Sequence, residues 1–158
     1  MFVLIRALTY ASLFIGFALV FLPARLLAAY GVARPAPLGA PQLAGLALVL
    51  VGACLALWCI LAFALIGRGT PAPFDPPRRL VVRGPYRFVR NPMYLGAALA
   101  LAGAALVYAS AALLGYAALF LVVTHLFVVA YEEPTLLETF GEEYAAYCRR
   151  VRRWWPSL

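Results

Sequence analysis

The sequence has little charge for its length, and the charge it has is one-sided. Only 12% of its 158 residues are charged, and lysine is absent, so all 13 cations are arginines, against six acids. A soluble domain is nearer one-half apolar and one-quarter charged, whereas 66% of this chain is apolar and its mean hydropathy is +0.93. This composition excludes a water-soluble globular protein, so we expect lipid to be the solvent for much of the surface.

Cysteine is also scarce, and its placement excludes two kinds of site. Cys54 and Cys59 fall inside an apolar run and Cys148 lies near the C-terminus, a spacing that predicts neither a disulfide framework nor a zinc site. We therefore predict no bound metal. The net charge of +7 would suit nucleic acid, but arginines beside apolar runs are typical of membrane topology signals, so we expect no nucleic-acid partner.

Four apolar stretches approach the roughly 20 residues that a membrane-spanning helix needs. They are Phe2–Leu22, Gln42–Ile66, Met93–Tyr108 and Ala112–Tyr131. The first resembles a signal peptide, but the residues after it make a poor cleavage site, so we predict a retained helix. We interpret Pro23–Pro41 as a connector with one helical turn at Ala24–Tyr30.

The second half of the chain predicts a loop, a hairpin and a surface helix. Gly67–Pro92 is a long break rich in arginine and proline, whose aromatic residues argue against disorder. The uncharged turn Ala109-Ser110-Ala111 makes the third and fourth spans a hairpin, and small residues should let helices approach closely: Gly96, Gly103 and Gly115. Pro134–Trp155 has apolar residues at helical spacing, which predicts one amphipathic helix in the membrane interface.

The expected fold is therefore all-α: an integral membrane bundle of about four transmembrane helices plus a C-terminal amphipathic interfacial helix. We predict one membrane domain over residues 1–158, with the first two spans in 1–66 and the rest in 67–158. Ten of the 13 arginines lie in the long break and the C-terminal tail. The positive-inside rule places that side, with both termini, in the cytoplasm, and leaves Arg25 and Arg34 outside.

A cluster of polar residues is predicted at the cytoplasmic face. Glu132 and Glu133 end the fourth span, where adjacent carboxylates are costly unless they are paired or wetted. The hairpin returns them to the level of Arg90, Asn91 and Tyr94, which open the third span. From the residues alone, this cluster could be a plain surface salt bridge, worth little, or a functional site.

Two separated motifs resemble a known family. Residues 80–96 read Leu-Val-Val-Arg-Gly-Pro-Tyr-Arg-Phe-Val-Arg-Asn-Pro-Met-Tyr-Leu-Gly, which closely resembles the signature of the isoprenylcysteine carboxyl methyltransferases, themselves similar to the phospholipid N-methyltransferases. Tyr131-Glu132-Glu133, Phe140-Gly141 and a basic tail then follow in the order of that family. The resemblance covers about residues 67–156.

The resemblance implies S-adenosylmethionine as cofactor, bound in the 67–158 half without the glycine-rich loop of soluble enzymes, which is absent here. The implied cofactor-binding residues are Tyr86, Arg90, Asn91, Pro92, Tyr94, Leu95, Glu132 and Glu133, of which Arg90, Glu132 and Glu133 are also the candidate catalytic residues. Asn91 stands where the family often has histidine, and an amide cannot titrate. A general-base role at that position is therefore excluded.

The expected activity is methyl transfer to the carboxylate or amine of a lipid or small lipophilic molecule. An amine acceptor needs a base, which Glu132 or Glu133 could supply, or these residues could bind the cofactor, whose positive charge suits an acidic pair. Arg90 would hold an anion. His125, the one histidine and in mid-span, is either functional or a neutral residue hydrogen-bonded between helices.

Two other interpretations stay open. A sterol-reductase-like protein has a similar C-terminal half but binds NADPH, and a non-catalytic four-helix protein could bind or transport lipid. The alanine- and arginine-rich composition suggests a prokaryote, in which prenylated protein C-termini are not expected substrates. Membrane lipids and lipophilic molecules are therefore the expected partners, and the arginines of the tail suit anionic headgroups.

Overall fold

The computed structural model describes residues 9, 12–67 and 78–157. In this part of the chain the elements are helices joined by loops and turns, so the all-α prediction is confirmed. We name five helices: α1 (Ser12–Ala29), α2 (Ala40–Gly67), α3 (Pro92–Val107), α4 (Ala111–Phe140) and α5 (Glu142–Arg150), with a short 3-10 helix at Gly84–Arg87.

Three of these helices, α1, α2 and α4, are long and apolar enough to cross a membrane, whereas α3 is shorter. With 16 residues, α3 is about 24 Å long, less than the roughly 30 Å of a hydrocarbon core. Half of its residues are buried, because it packs between α2 and α4. The structure thus has three helices of spanning length and a shorter fourth, where the sequence predicted four spans.

The predicted end of the first span is wrong. The helix does not stop at Leu22 but continues through Pro23 to Ala29. The first residues of the predicted connector, 23–29, are therefore helical. Proline lacks an N–H and its ring crowds the preceding turn. Here a wide π-helical turn, Ile15–Phe21, ends two residues before Pro23, and a wider turn leaves more room for the ring. The start of the predicted span (residues 2–8, 10 and 11) lies outside the described residues.

The closest helix contact is between α2 and α3. A Cβ atom added to Gly103 would lie 2.5 Å from the carbonyl oxygen of Gly45, and one added to Gly96 would lie 2.8 Å from that of Gly52. The two backbones therefore touch, as the small residues predicted. The same expectation for Gly115 is wrong, because nothing lies within 4 Å of its Cβ position.

The predicted hairpin of α3 and α4 is confirmed. Ala109 turns the chain with a φ of 47°, and the Ser110 hydroxyl accepts a hydrogen bond from the Leu113 amide at 3.3 Å, which caps α4. Helix α1 packs against α4, where the Tyr116 hydroxyl donates to the carbonyl of Ala18 at 2.8 Å. The chain therefore runs up and down, and the ends of α2 and α4 lie beside the start of α3.

The predicted C-terminal helix, Pro134–Trp155, is wrong in two respects. Its first half continues α4 to Phe140, and Gly141 then interrupts the helix with φ 52° and ψ −127°, a conformation that is essentially restricted to glycine. After α5 the chain is no longer helical. Residues 151–157, which we call the strap, turn back over the start of α3.

Candidate active site

The acidic pair lies at a wide turn of α4. A π-helical turn runs over Val128–Glu132, and such turns are frequent at functional sites. Consecutive residues of a helix point about 100° apart, so the two carboxylates cannot share one set of partners. Glu132 faces α3, whereas Glu133 faces the strap.

Glu132 has one hydrogen-bond donor among the described residues. The Tyr94 hydroxyl donates to its Oε2 at 3.0 Å, and Tyr94 is itself buried. No described residue donates to Oε1, and Glu132 lines a cavity. One oxygen of this carboxylate is therefore fixed by the hairpin, and the other is left for a different partner.

Glu133, in contrast, is fully engaged by arginine. The Arg153 Nε and Nη2 donate to its Oε1 and Oε2 at 2.7 and 2.8 Å, which is the two-bond geometry of a guanidinium on a carboxylate. The Arg90 Nη1 lies 3.1 Å from Oε1. Glu133 thus joins the start of α3 to the strap.

The Nη1 of Arg90 has partners among the described residues, whereas its Nε has none. Its Nη1 also donates to the Cys148 sulfur at 2.8 Å, and its side chain is only 14% exposed. Its Nε is the one buried side-chain polar atom without a hydrogen-bond partner in the described part of the chain. An unsatisfied buried donor costs about 1–3 kcal/mol, so this atom marks a place where an acceptor would stabilise the site.

The strap is bonded to the residues that lead into α3. The Arg90 amide donates to the carbonyl of Arg152 at 2.9 Å, and the Ser157 amide donates to the carbonyl of Phe88 at 2.8 Å. The Asn91 side-chain amide donates to the carbonyl of Arg153 at 3.2 Å. At least one Asn91 donor is therefore used by the strap, not kept for a ligand.

A cavity lies between these groups. The space between the surrounding atoms amounts to about 420 Å³, a part of which is open solvent. Its lining comes from the end of α2, the loop before α3, the last third of α4, and α5: Phe63, Leu80, Val81, Tyr86, Arg90, Asn91, Glu132, Glu133, Leu136, Tyr144 and Tyr147. The cavity is thus an apolar and aromatic space with charged groups on one wall.

Tyrosines hold the loop against α5. The Tyr147 hydroxyl donates to the carbonyl of Tyr86 at 2.6 Å, and the Tyr86 ring packs edge-on against Phe63. Burial raises the pKa of the Tyr86 and Tyr147 phenols above their ordinary range, and nearby Arg90 only partly offsets this for Tyr147. Both phenols therefore stay protonated at neutral pH, and Tyr147 stays a donor.

A family model for phospholipid methyltransferases matches residues 41–143 of the chain, about two-thirds of its length. The chain belongs to the phospholipid methyltransferase family. The matched segment contains the loop before α3, α3 itself and the Glu132–Glu133 pair, whereas Tyr144, Tyr147 and the strap lie beyond it. Comparison with curated proteins and with solved structures finds no match.

Membership confirms the family predicted from the two motifs, which is one of membrane methyltransferases. The predicted cofactor residues divide into three groups. Five line the cavity: Tyr86, Arg90, Asn91, Glu132 and Glu133. Tyr94 does not line it but hydrogen-bonds to Glu132. Pro92 and Leu95 are not part of the lining: Pro92 is fully buried at the start of α3. The roles of all eight stay predictions.

Sequence reasoning missed part of the lining and the strap. Phe63 and Leu136 carried no signal beyond hydrophobicity. Tyr144 and Tyr147 fit both an amphipathic helix and the family resemblance, but neither pattern predicted them in the site. Arg153 was counted as a headgroup-binding or topology residue. Its pairing with Glu133 could not be read from spacing, because it depends on where the strap turns after α5.

His125 is not hydrogen-bonded between two helices, as one interpretation had it. Its Nδ1 accepts a hydrogen bond from the Trp154 Nε1 at 3.0 Å, so its partner is the strap. The two rings are tilted and 6.0 Å apart. The contact secures the strap against α4 and leaves His125 outside the cavity lining.

Proposed function

We propose that this chain transfers a methyl group from S-adenosylmethionine to a lipophilic acceptor that reaches the cavity from the membrane. In this proposal the chain is one membrane domain, and residues 67–158 hold the cofactor. The observation that carries it is a cavity, in a member of the phospholipid methyltransferase family, that is lined by both Glu132 and Arg90. Among the described residues, Glu132 Oε1 has no donor and the buried Arg90 Nε has no acceptor.

The residues present fit this cofactor. S-adenosylmethionine carries a carboxylate, an ammonium and a sulfonium, and when bound it supplies an activated methyl group. The Arg90 Nε is a buried donor that lacks an acceptor, so a carboxylate would satisfy it. The Glu132 Oε1, to which no described residue donates, suits a cationic group or a ribose hydroxyl. Tyr86 and Phe63 offer aromatic surface for an adenine.

The work of the protein in such a transfer is alignment and exclusion of water. Arg90 and Glu132 are held in place before any ligand arrives, by Glu133 and Tyr94 respectively. The aromatic and aliphatic part of the lining limits water. A carboxylate acceptor needs no base, whereas an amine acceptor would lose its proton, and Glu132 is the carboxylate with an oxygen available to take it.

A titration of the purified protein in detergent tests the proposal. We expect S-adenosylmethionine and its product S-adenosylhomocysteine to bind, measured by calorimetry, and NADPH not to bind. Binding of NADPH alone would favour the reductase alternative. Absence of binding by all three ligands would contradict both enzymatic functions and favour a lipid-binding or transport protein.

We further propose that the cavity and both termini face the cytoplasm. Among the described residues, nine arginines lie at the end of the bundle that holds the cavity, and two, Arg25 and Arg34, lie toward the other. The positive-inside rule assigns the richer end to the cytoplasm.

Reporter fusions after the last residue check this orientation. We expect a fused green fluorescent protein to be fluorescent and a fused alkaline phosphatase to be inactive, because the first folds in the cytoplasm and the second outside it. The opposite pair of results would reverse the orientation.

A further inference from the structure

The strap contributes to the site although it lies outside the family match. The match ends at residue 143, whereas residues 151–157 follow α5. Even so, the strap supplies the two-bond partner of Glu133 and accepts hydrogen bonds from the Arg90 amide and the Asn91 side chain. A segment that served only to anchor the chain at the membrane would not need these contacts.

Two arginines, Arg153 and Arg90, contact the single carboxylate of Glu133. Arg153 holds both oxygens, and Arg90 reaches only Oε1, at 3.1 Å. The side chain of Glu133 is 18% exposed and that of Arg153 is 31% exposed, so the pair is largely shielded from water. Because Arg153 fixes both oxygens, it determines where Glu133 can hold the Arg90 guanidinium.

We propose that Arg153 is a positioning residue of the methyltransferase site: it fixes the Glu133 carboxylate so that the Arg90 guanidinium stays on the wall of the cavity. This inference rests on the proposed function, because it gives Arg90 the task of holding the cofactor. Arg153 itself does not line the cavity. Its effect on the ligand therefore passes through Glu133 and Arg90.

The strap's other contacts support the same assignment. Trp154 is bonded to His125 on α4, and the Ser157 hydroxyl accepts a hydrogen bond from the Arg152 amide at 2.8 Å, which closes the strap on itself. The strap is thus tied to α4 and to the loop before α3 at once. The Arg153 side chain starts from a backbone that is already placed, which lowers the entropy lost in forming its two bonds with Glu133.

A substitution series in the purified full chain tests the inference. We expect Arg153→Ala to weaken S-adenosylhomocysteine binding by about 10- to 100-fold, by analogy with the loss found when the outer partners of metal ligands are removed. Arg153→Lys should restore part of the loss, because lysine keeps the charge but cannot form the paired bonds. Arg152→Ala is the matched control: it removes an exposed arginine of the strap and should bind within about twofold of the wild type.

A double-variant cycle separates positioning from a general effect on stability. If Arg153 acts through Glu133, Arg153→Ala combined with Glu133→Gln should bind no more weakly than the weaker single variant. Thermal transitions of each variant in detergent, followed without ligand, show whether the binding assay was made on folded protein. Should Arg153→Ala fail to fold, Arg153→Lys carries the test alone, and wild-type affinity in that variant overturns the inference.

The other outcomes are also decisive. Wild-type affinity in a folded Arg153→Ala protein would overturn the inference and leave the proposed function intact. Equal losses in Arg153→Ala and Arg152→Ala would overturn it too, since the strap would then act without the Glu133 pair. Failure of the wild type to bind S-adenosylhomocysteine would overturn the proposed function, and this inference with it.

Discussion

Arg90→Ala should weaken S-adenosylhomocysteine binding by about 100-fold or more. The substitution removes a donor whose Nε is buried and unpartnered and takes away one of the two arginines on Glu133. Truncating one partner of a buried, hydrogen-bonded charge pair in a complex typically costs about 2–5 kcal/mol of binding free energy, and each 1.4 kcal/mol is about tenfold in affinity. Binding is measured by calorimetry on detergent-purified protein.

Arg87→Ala is the matched control for this prediction. Arg87 lies in the same loop, three residues earlier, but its guanidinium is exposed and lies over the Phe88 ring, not in the cavity. Arg87→Ala should leave the affinity for S-adenosylhomocysteine unchanged. Arg90→Lys keeps the charge but loses Nε and the planar fork, so it should remain folded and still bind poorly. Affinity within threefold of the wild type in Arg90→Ala would refute the placement of the site.

Glu132→Gln should weaken S-adenosylmethionine binding by about tenfold or more, and S-adenosylhomocysteine binding by less. The change keeps the size of the side chain and an oxygen that can accept from Tyr94, but it removes the charge. The two ligands differ by the methyl group and by the positive charge on sulfur. A carboxylate in a partly dry cavity favours the charged ligand by a few kcal/mol at an effective dielectric constant of about 20.

The ratio of the two affinities therefore reports the role of Glu132. Glu138→Gln is the control, because Glu138 is on the same helix but exposed to solvent, and its ratio should match the wild type. Equal losses for both ligands in Glu132→Gln would mean that Glu132 contacts a group they share. An unchanged affinity for both would remove Glu132 from the site.

The meeting of the two motifs could be predicted from the sequence because it depends on simple helix arithmetic. The turn at Ala109 and Ser110 makes α3 and α4 antiparallel, and the distance along each helix then returns Glu132 and Glu133 to the start of α3. The contacts of Tyr94 with Glu132 and of Arg90 with Glu133 follow from this. Such contacts can be predicted without knowing the conformation of any long loop.

The different partners of the two glutamates could not be predicted. Because Glu132 and Glu133 are consecutive in the sequence, the sequence predicted one acidic pair with interchangeable roles. The structure separates them, because consecutive helical residues face about 100° apart and the strap occupies only the side of Glu133. The path of the strap is set by Gly141 and by many single hydrogen bonds from non-helical backbone, none of which leaves a periodic pattern.

The continuation of α1 past Pro23 was missed for a related reason. Proline normally argues for a helix end, but a wide π-helical turn before it removes the clash. Within that turn the Ala18 carbonyl accepts a hydrogen bond from the Tyr116 hydroxyl of α4, and these two residues are far apart in the sequence. Local rules therefore placed the boundary too early.

Photochemical cross-linking tests the central claim most directly. Radiolabelled S-adenosylmethionine is irradiated with the wild-type protein, and the labelled peptides are identified by mass spectrometry. We expect label in peptides covering residues 80–95 or 131–147, and its loss when excess S-adenosylhomocysteine is added. Label confined to residues 12–62, or label that excess S-adenosylhomocysteine does not displace, would contradict a cofactor site between Arg90 and Glu132.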